Sequence, residues 1–222
     1  MKEQESDSQT LTETAYRYIF DGIMNGKYRA GQSISPDQLS QNLNMSKTPI
    51  REALLQLEVE NLVFRNGRYY NVIYLDEDEV LELYQLRRIL ESEAAYYAAQ
   101  NVNDQVVNDL ESALAAIIEA SKEANPEPIK LADLNGKFHS IIARASGNRY
   151  IVQYTTEIRL KLKVIRTTFF SSYDRRFDES KEHKKIFDAI RLGKADLAKQ
   201  LTIEHMDKTI KYVKDYVLNK MY

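Results

Sequence analysis

Cysteine is absent from this chain of 222 residues, which excludes disulfides, thiolate metal ligands and a cysteine nucleophile, and fits a reducing compartment. Glycine (7) and proline (4) are scarce, and Pro36, Pro49, Pro126 and Pro128 all precede residue 129, so few helix breakers interrupt the second half. No run approaches the roughly 18 apolar residues of a membrane span, and Met1 to Gln9 is polar, without the apolar region of a signal peptide. These absences predict a soluble cytoplasmic protein with a disordered tail over residues 1–9. Charge of one sign is lacking too. A net charge of −2 excludes a chain that coats nucleic acid through bulk basicity, so any such contact has to be local.

What is present divides into two expected cores, residues 10–74 and 75–222, because the length exceeds one small domain. In the first, Leu11, Ala15, Tyr18, Ile19, Gly22 and Ile23 recur at helical spacing, and Gly26 stands where a helix stops. Ser35-Pro36-Asp37-Gln38 reads as a capping box that starts a short second helix. Ser46 can cap a third, with Pro49 in its first turn, where a missing N–H costs little. Ile50, Ala53, Leu54 and Leu57 then face inward, which leaves Lys47, Thr48 and Arg51 on the outer N-terminal turns. Those are the turns of a recognition helix that meet base edges and phosphates. Asn66-Gly67 between two short β-type runs predicts a hairpin with Arg65 and Arg68 on either side of its tip, a basic wing.

Residues 11 to 72 resemble the winged helix-turn-helix of the GntR family of bacterial regulators. The likeness rests on Gly26 to Ile34, Leu39-Ser40, the string Ser46-Lys47-Thr48-Pro49-Ile50-Arg51-Glu52-Ala53-Leu54, Leu57-Glu58 and Leu62-Val63. It implies DNA contact by Ser46, Lys47, Thr48 and Arg51, with the wing tip Asn66-Gly67 at the minor groove. Asp37 stands where several members carry a DNA-contacting arginine, and Asn61 where glycine is usual, a position that asparagine can fill in a left-handed conformation.

The second part reads as a six-helix, all-α bundle. An acidic start at Asp76 to Glu79 leads into a stripe of Val80, Leu83, Tyr84, Leu90, Ala94, Tyr97 and Ala98, and further helices are expected over 106–120, 129–145, 150–170, 176–192 and 195–218. Tyr173 to Arg176 reads as a surface linker. Arg87 lies in the stripe, either paired with a carboxylate such as Glu91 or placed to bind an anion in a pocket. Arg159 and Arg166 either line the same pocket or form a solvated basic edge with Lys163. The chain has three histidines, His139, His183 and His205, each on or beside an inward face. Each alone reads as a core histidine; together they suggest a shared divalent metal, with zinc first and nickel or manganese also suited to imidazole.

Residues 76 to 215 resemble the FCD-type ligand-binding domain of the FadR subfamily, through Leu86-Arg87, Leu90-Glu91, Phe138-His139, Ala145 to Asn148, Glu182-His183, Ala189-Ile190 and Gly193. Asn135 precedes His139 by four, and His183 and His205 are 22 apart, the spacing of the metal-binding members. The resemblance implies a site of Asn135, His139, His183 and His205 with one or two positions open to water or an effector carboxylate, beside Arg87. The expected protein is a homodimeric, ligand-responsive transcription regulator, a repressor by analogy, on a pseudo-palindromic double-stranded operator, with a small carboxylate effector. It is expected not to be an enzyme. A metal-dependent enzyme on a small organic acid is the alternative, but there is no His-Glu-x-x-His, and Ser180 and Thr202 occupy the positions three before His183 and His205. Glu182 and Glu204, adjacent to histidines, are expected to point elsewhere. A non-catalytic helical adaptor is the remaining reading.

Overall fold

The computed structural model describes residues 10–123, 128–169 and 175–220. The tail over 1–9, residue 170 at the end of its helix, and Tyr173 and Asp174 of the expected linker lie outside them. The described residues group into two compact units, one of residues 10–74 with Lys163–Thr168, the other of 75–162, 169 and 175–220.

In the first unit α1 (Leu11–Met24), β1 (Ser33–Ile34), α2 (Pro36–Leu43), α3 (Lys47–Val59), β2 (Val63–Asn66) and β3 (Tyr69–Val72) follow in order. Thr10 and Glu13 cap α1 reciprocally, each side chain accepting from the other's backbone N–H at 3.1 and 2.9 Å. Its apolar face, Ala15, Ile19 and Ile23, packs on Ile50, Ala53, Leu54 and Leu57 of α3, and all seven are fully buried. Each of the large aliphatic side chains contributes about 1.5–3 kcal/mol through burial. Ser35 caps α2, accepting from Gln38 N at 3.3 Å. Asn44 closes α2 in the left-handed region, φ 48°, and Asn61 adopts φ 56°, the conformation expected of it.

The wing differs from expectation in two ways. Asn66 pairs with Tyr69, so the two-residue loop is Gly67-Arg68, one position later than Asn66-Gly67. Gly67 has φ 62° while Asn66 and Arg68 do not enter the positive region, as in a hairpin turn with glycine at its first central position. The second difference is β1, which adds a third antiparallel strand, in the order β1-β3-β2. Two residues are too few to show an alternating pattern.

The second unit holds α4 (Glu77–Gln100), α5 (Asp104–Lys122), α6 (Pro128–Ala145), α7 (Arg149–Phe169), α8 (Arg176–Arg191) and α9 (Ala195–Tyr216). Asp76 and Glu79 cap α4 reciprocally at 2.9 Å. Helix α4 is the axis of the bundle and packs against α6, α8 and α9. It can do so because Ala94, Ala95, Ala98 and Ala99 keep its buried face small. Against them lie Leu110, Leu114 and Ile117 of α5, Phe138, Ile141 and Ile142 of α6, and Ile186, Phe187 and Ile190 of α8. The expected linker did not extend to its last two residues: Arg176 opens α8 and its Nε donates to Ser121 O at 3.1 Å.

Candidate metal centre and nucleic-acid surface

Beyond Phe138 the bundle interior changes character. Arg87, Glu91, Asn135, His139, Thr155, Arg159, Glu179, His183, Thr202 and His205 are all buried there. So many polar side chains out of water are costly unless they pair, so their partners define what the cavity can do.

The three histidines converge. His139 comes from α6, His183 from α8 and His205 from α9, with ring centroids 4.7 to 5.2 Å apart. One ligand atom from each lies within 4.8 Å of the others. Nε2 of His139 and of His183 face each other at 3.1 Å. Behind two of the rings stands a carboxylate. Glu91 Oε2 is 3.1 Å from His139 Nδ1, and Glu182 Oε2 is 2.9 Å from His205 Nδ1. A carboxylate only accepts, so each Nδ1 carries a proton, and in the neutral ring Nε2 is then the lone pair. That is the arrangement by which outer carboxylates orient imidazoles toward a metal ion.

Glu182 points elsewhere on α8 than His183, as expected, yet it still belongs to the cluster. It leaves the face of α8 that carries His183, but α9 covers the face it occupies, and there it meets His205. Arg175 and Lys208 (3.1 Å) share the same carboxylate. Burial raises the Glu182 pKa, but the hydrogen bond from His205, the charges of Arg175 and His205 and the hydrogen bond from Lys208 outweigh it and bring it down to about 2. Burial, followed by the neighbouring His205 and His139, pushes the His183 pKa well below its usual value, so its ring is neutral and able to ligate.

Arg87 forms a two-pronged pair with Glu91, Nε to Oε1 at 2.8 Å and a second nitrogen to Oε2 at 3.3 Å. Burial opposes the charge on Glu91, yet Arg87 and Arg159 hold its pKa below the usual carboxylate value. Arg159 is buried beside α6, donating to Gly136 O and to Thr155 O (3.2 Å). Arg166, seven residues after Arg159 on α7, is one of the residues that group with the first unit, and its Nε is buried without a hydrogen-bond partner. Asn135, one turn before His139 on α6, donates its amide nitrogen to Glu179 Oε2 at 2.6 Å. Two buried atoms of the cluster have no hydrogen-bond partner, Asn135 Oδ1 and His183 Nδ1.

This set fits a divalent ion. Three imidazole nitrogens and an unpartnered amide oxygen form an N/O donor set suited to zinc, nickel or manganese-class ions, and three nitrogens leave coordination positions open. Tetrahedral zinc, with Zn–N of about 2.0–2.1 Å, sets its nitrogens about 3.4 Å apart, near the 3.1 Å between His139 and His183. Glu91 was read from the sequence as a candidate partner of Arg87, which it is, but its bond to His139 was not; Glu179 and Glu182 were missed as site residues, although Glu179 lies four residues from His183, a helical-face signal that was available.

On the first unit, Ser46, Lys47, Thr48 and Arg51 are exposed along the start of α3, and Arg65, Asn66, Gly67 and Arg68 are exposed in the wing. Ser46 is the N-cap residue by backbone, but its hydroxyl makes no capping bond and is free for another acceptor or donor. The wing is braced by α3, since Arg65 N–H donates to Glu58 Oε1 at 3.0 Å. Lys47 is held by Asp37 across the α2–α3 turn at 2.7 Å, which lowers the Asp37 pKa.

That ion pair carries a prediction. Phosphate has to compete with Asp37 for Lys47, so Asp37→Ala should tighten DNA binding. If Lys47 then gains a full phosphate contact, the slope of log affinity against log salt steepens by about 0.9. Fluorescence anisotropy over a salt series measures both quantities, and an unchanged slope would place Lys47 off the phosphates.

A winged helix-turn-helix unit joined in one chain to a helical bundle with a buried histidine cluster defines a class of protein, the two-part DNA-binding regulator. Residues 11–69 match the family described as bacterial regulatory proteins, gntR family, and residues 82–208 match the FCD domain. The chain belongs to the GntR family, carries an FCD domain as its second part, and is a transcriptional regulator. It is 26% identical over 202 residues, 90% of this chain and 89% of the relative, to the HTH-type transcriptional regulator YdhC of Bacillus subtilis (strain 168). It is 24% identical over 200 residues, 86% of this chain and 90% of the relative, to the HTH-type transcriptional repressor GlaR of Escherichia coli (strain K12). Its fold is similar to that of E. coli McbR/YncC, with a TM-score of 0.77 at 18% identity over 92% of this chain and 97% of that one. Among the described residues no helix is long and apolar enough to cross a membrane.

Proposed function

We propose that this regulator is a FadR-type repressor that binds a pseudo-palindromic operator as a homodimer and changes its operator affinity when a metal-bound carboxylate effector enters the bundle. The observation that carries this reading is the convergence of three buried histidines, two of them backed by carboxylates. The ion would be held by His139, His183 and His205 through nitrogen and by Asn135 through Oδ1. Once bound, it supplies a positive centre with open positions that attract a small carboxylate such as a hydroxy acid, sugar acid or dicarboxylate. Zinc is the first candidate, with nickel or manganese next. Arg159 and Arg87 flank that centre and supply charge for the second end of the effector.

In the DNA-reading unit, Lys47, Thr48 and Arg51 would face base edges and phosphates, Ser46 a phosphate, and the wing residues Arg65 to Arg68 the minor groove. Homodimerisation is supported by large apolar side chains left exposed on the second unit, Leu86 and Ile89 of α4 and Tyr150 and Tyr154 of α7. Regulation requires that the effector bind the DNA-competent and DNA-incompetent forms with different affinity, and couplings of this kind are typically about 5–150-fold.

Two measurements test the reading. Protein purified without a chelator or histidine tag should carry about one divalent ion per chain by elemental analysis. Anisotropy with a labelled fragment of its own upstream region should then show operator release when a panel of small carboxylates is titrated onto the metal-loaded protein and no release from the metal-stripped one. A metal content near zero, even after incubation with zinc, would sink the sensor reading; a complex indifferent to DNA sequence would sink the operator reading.

A further inference from the structure

We propose that Glu179 is the positioning residue that fixes Asn135 as an oxygen ligand, so that the anionic charge of this part of the site stands one hydrogen bond behind the ion instead of on it. The inference rests on the metal-site reading above and deepens it.

The two ends of an asparagine amide have nearly the same shape, so only the hydrogen-bond network decides which end faces where. Here the decision is forced. Glu179 Oε2 is 2.6 Å from the Asn135 amide nitrogen, and the flipped amide would set two acceptor oxygens against each other at that distance, so the nitrogen faces Glu179. The oxygen is left over. It is buried and without a partner, on a residue one helical turn before His139 on α6. Leaving a buried acceptor unmatched is costly, and a cation removes that cost. Glu179 and His183 repeat the relation on α8, four residues apart, and both are buried. The two helices therefore present an amide–carboxylate pair directly beside a His–His pair.

Two consequences separate this from a packing role. A neutral amide at 179 can donate to the Asn135 oxygen or let the Asn135 amide turn over, and either event takes the oxygen away from the ion. An aspartate at 135, in contrast, would set two carboxylates 2.6 Å apart with Glu179 in place, and like charges at that distance repel strongly. The aspartate becomes compatible once residue 179 is an amide that can donate to one of its oxygens while the other faces the ion. Asn135 and Glu179 thus act as a polarity pair that works in the present order or fully reversed.

The test uses the full-length protein stripped of metal, with cobalt(II) and zinc as probes. Cobalt affinity is read by chelator competition and by its visible ligand-field bands, for the wild type, Glu179→Gln, Asn135→Asp and the double variant. Glu179→Gln should bind about ten- to hundredfold more weakly, the usual effect of losing an outer-shell partner, with altered bands. Asn135→Asp/Glu179→Gln should recover wild-type affinity or better. In thermal melts of the metal-free proteins, Asn135→Asp alone should lower Tm and the double variant should regain it, which shows that the variants are folded and that the pair interacts. Glu179→Gln binding within twofold of wild type, or a loss that the double variant does not recover, overturns the proposal while leaving the metal site standing. A wild type that binds neither metal overturns both.

Discussion

Arg51→Ala should weaken operator binding by about 5- to 150-fold, the equivalent of losing a bidentate base contact of about 1–3 kcal/mol, and should leave the protein folded. The expectation follows from how α3 is fixed. Ile50, Ala53, Leu54 and Leu57 are fully buried against α1, which sets the rotation of the helix about its own axis. With that face committed, Arg51 has to stand on the outer side, one turn beyond Lys47 and Thr48, and it is exposed there. Substituting an exposed side chain disturbs no packing, so the stability change should stay within about 0.5 kcal/mol. Arg51→Lys should recover little, because a point charge cannot span the O6 and N7 of a guanine as the guanidinium fork does. The decisive comparison is between the operator and fragments substituted one base pair at a time. Loss of discrimination at a single position marks a base contact, whereas a uniform loss across all fragments marks a phosphate contact. Unchanged affinity on every fragment would remove α3 from the interface.

The residues that make the DNA-reading unit legible from sequence act over short distances. The Ser35 cap, Pro36 and Pro49 in first turns, and the apolar spacing of α1 and α3 are local, and the structure has them where the pattern placed them, although Ser46 opens α3 without a side-chain cap bond. The wing turn slipped by one because Asn66 and Gly67 both tolerate positive φ and only cross-strand pairing decides between them. Asn66 opposite Tyr69 leaves Gly67 and Arg68 as the loop. The bundle shows the same division. Its six helices follow from periodicity, and the inward set of the three histidines follows from neighbours at i±3 and i±4. The carboxylates behind them do not. Adjacent residues on a helix lie about 100° apart, so Glu182 does leave the face of His183. What it meets on its own face depends on α9, which returns some 20 residues later. The local rule holds but names no partner, because in a bundle nearly every face is covered by some other helix.

Arg87→Ala should be the most destabilising single change in the bundle. Arg87 and Glu91 are 6% and 2% exposed and face each other through two hydrogen bonds, and Glu91 also accepts from His139 Nδ1. Removing the guanidinium leaves a carboxylate in a site with little water and one remaining donor, a change that typically costs about 3–5 kcal/mol. For a unit of this size, each kcal/mol corresponds to about 2–4 °C, so the melting temperature of the metal-free protein should fall by about 6–20 °C. Metal has to be removed and protein concentration held fixed, because both shift Tm by mass action. The paired variant Arg87→Met/Glu91→Leu separates stability from function. A buried ion pair replaced by apolar side chains of similar size is often neutral or better, so this protein should melt near the wild type. Its zinc affinity should nevertheless be about ten- to hundredfold lower, because the carboxylate that holds the His139 ring with Nε2 toward the ion is gone. Stability recovered together with affinity would show that the Arg87–Glu91 pair serves packing alone, and a single variant melting within 2 °C or so of wild type would show that water reaches Glu91.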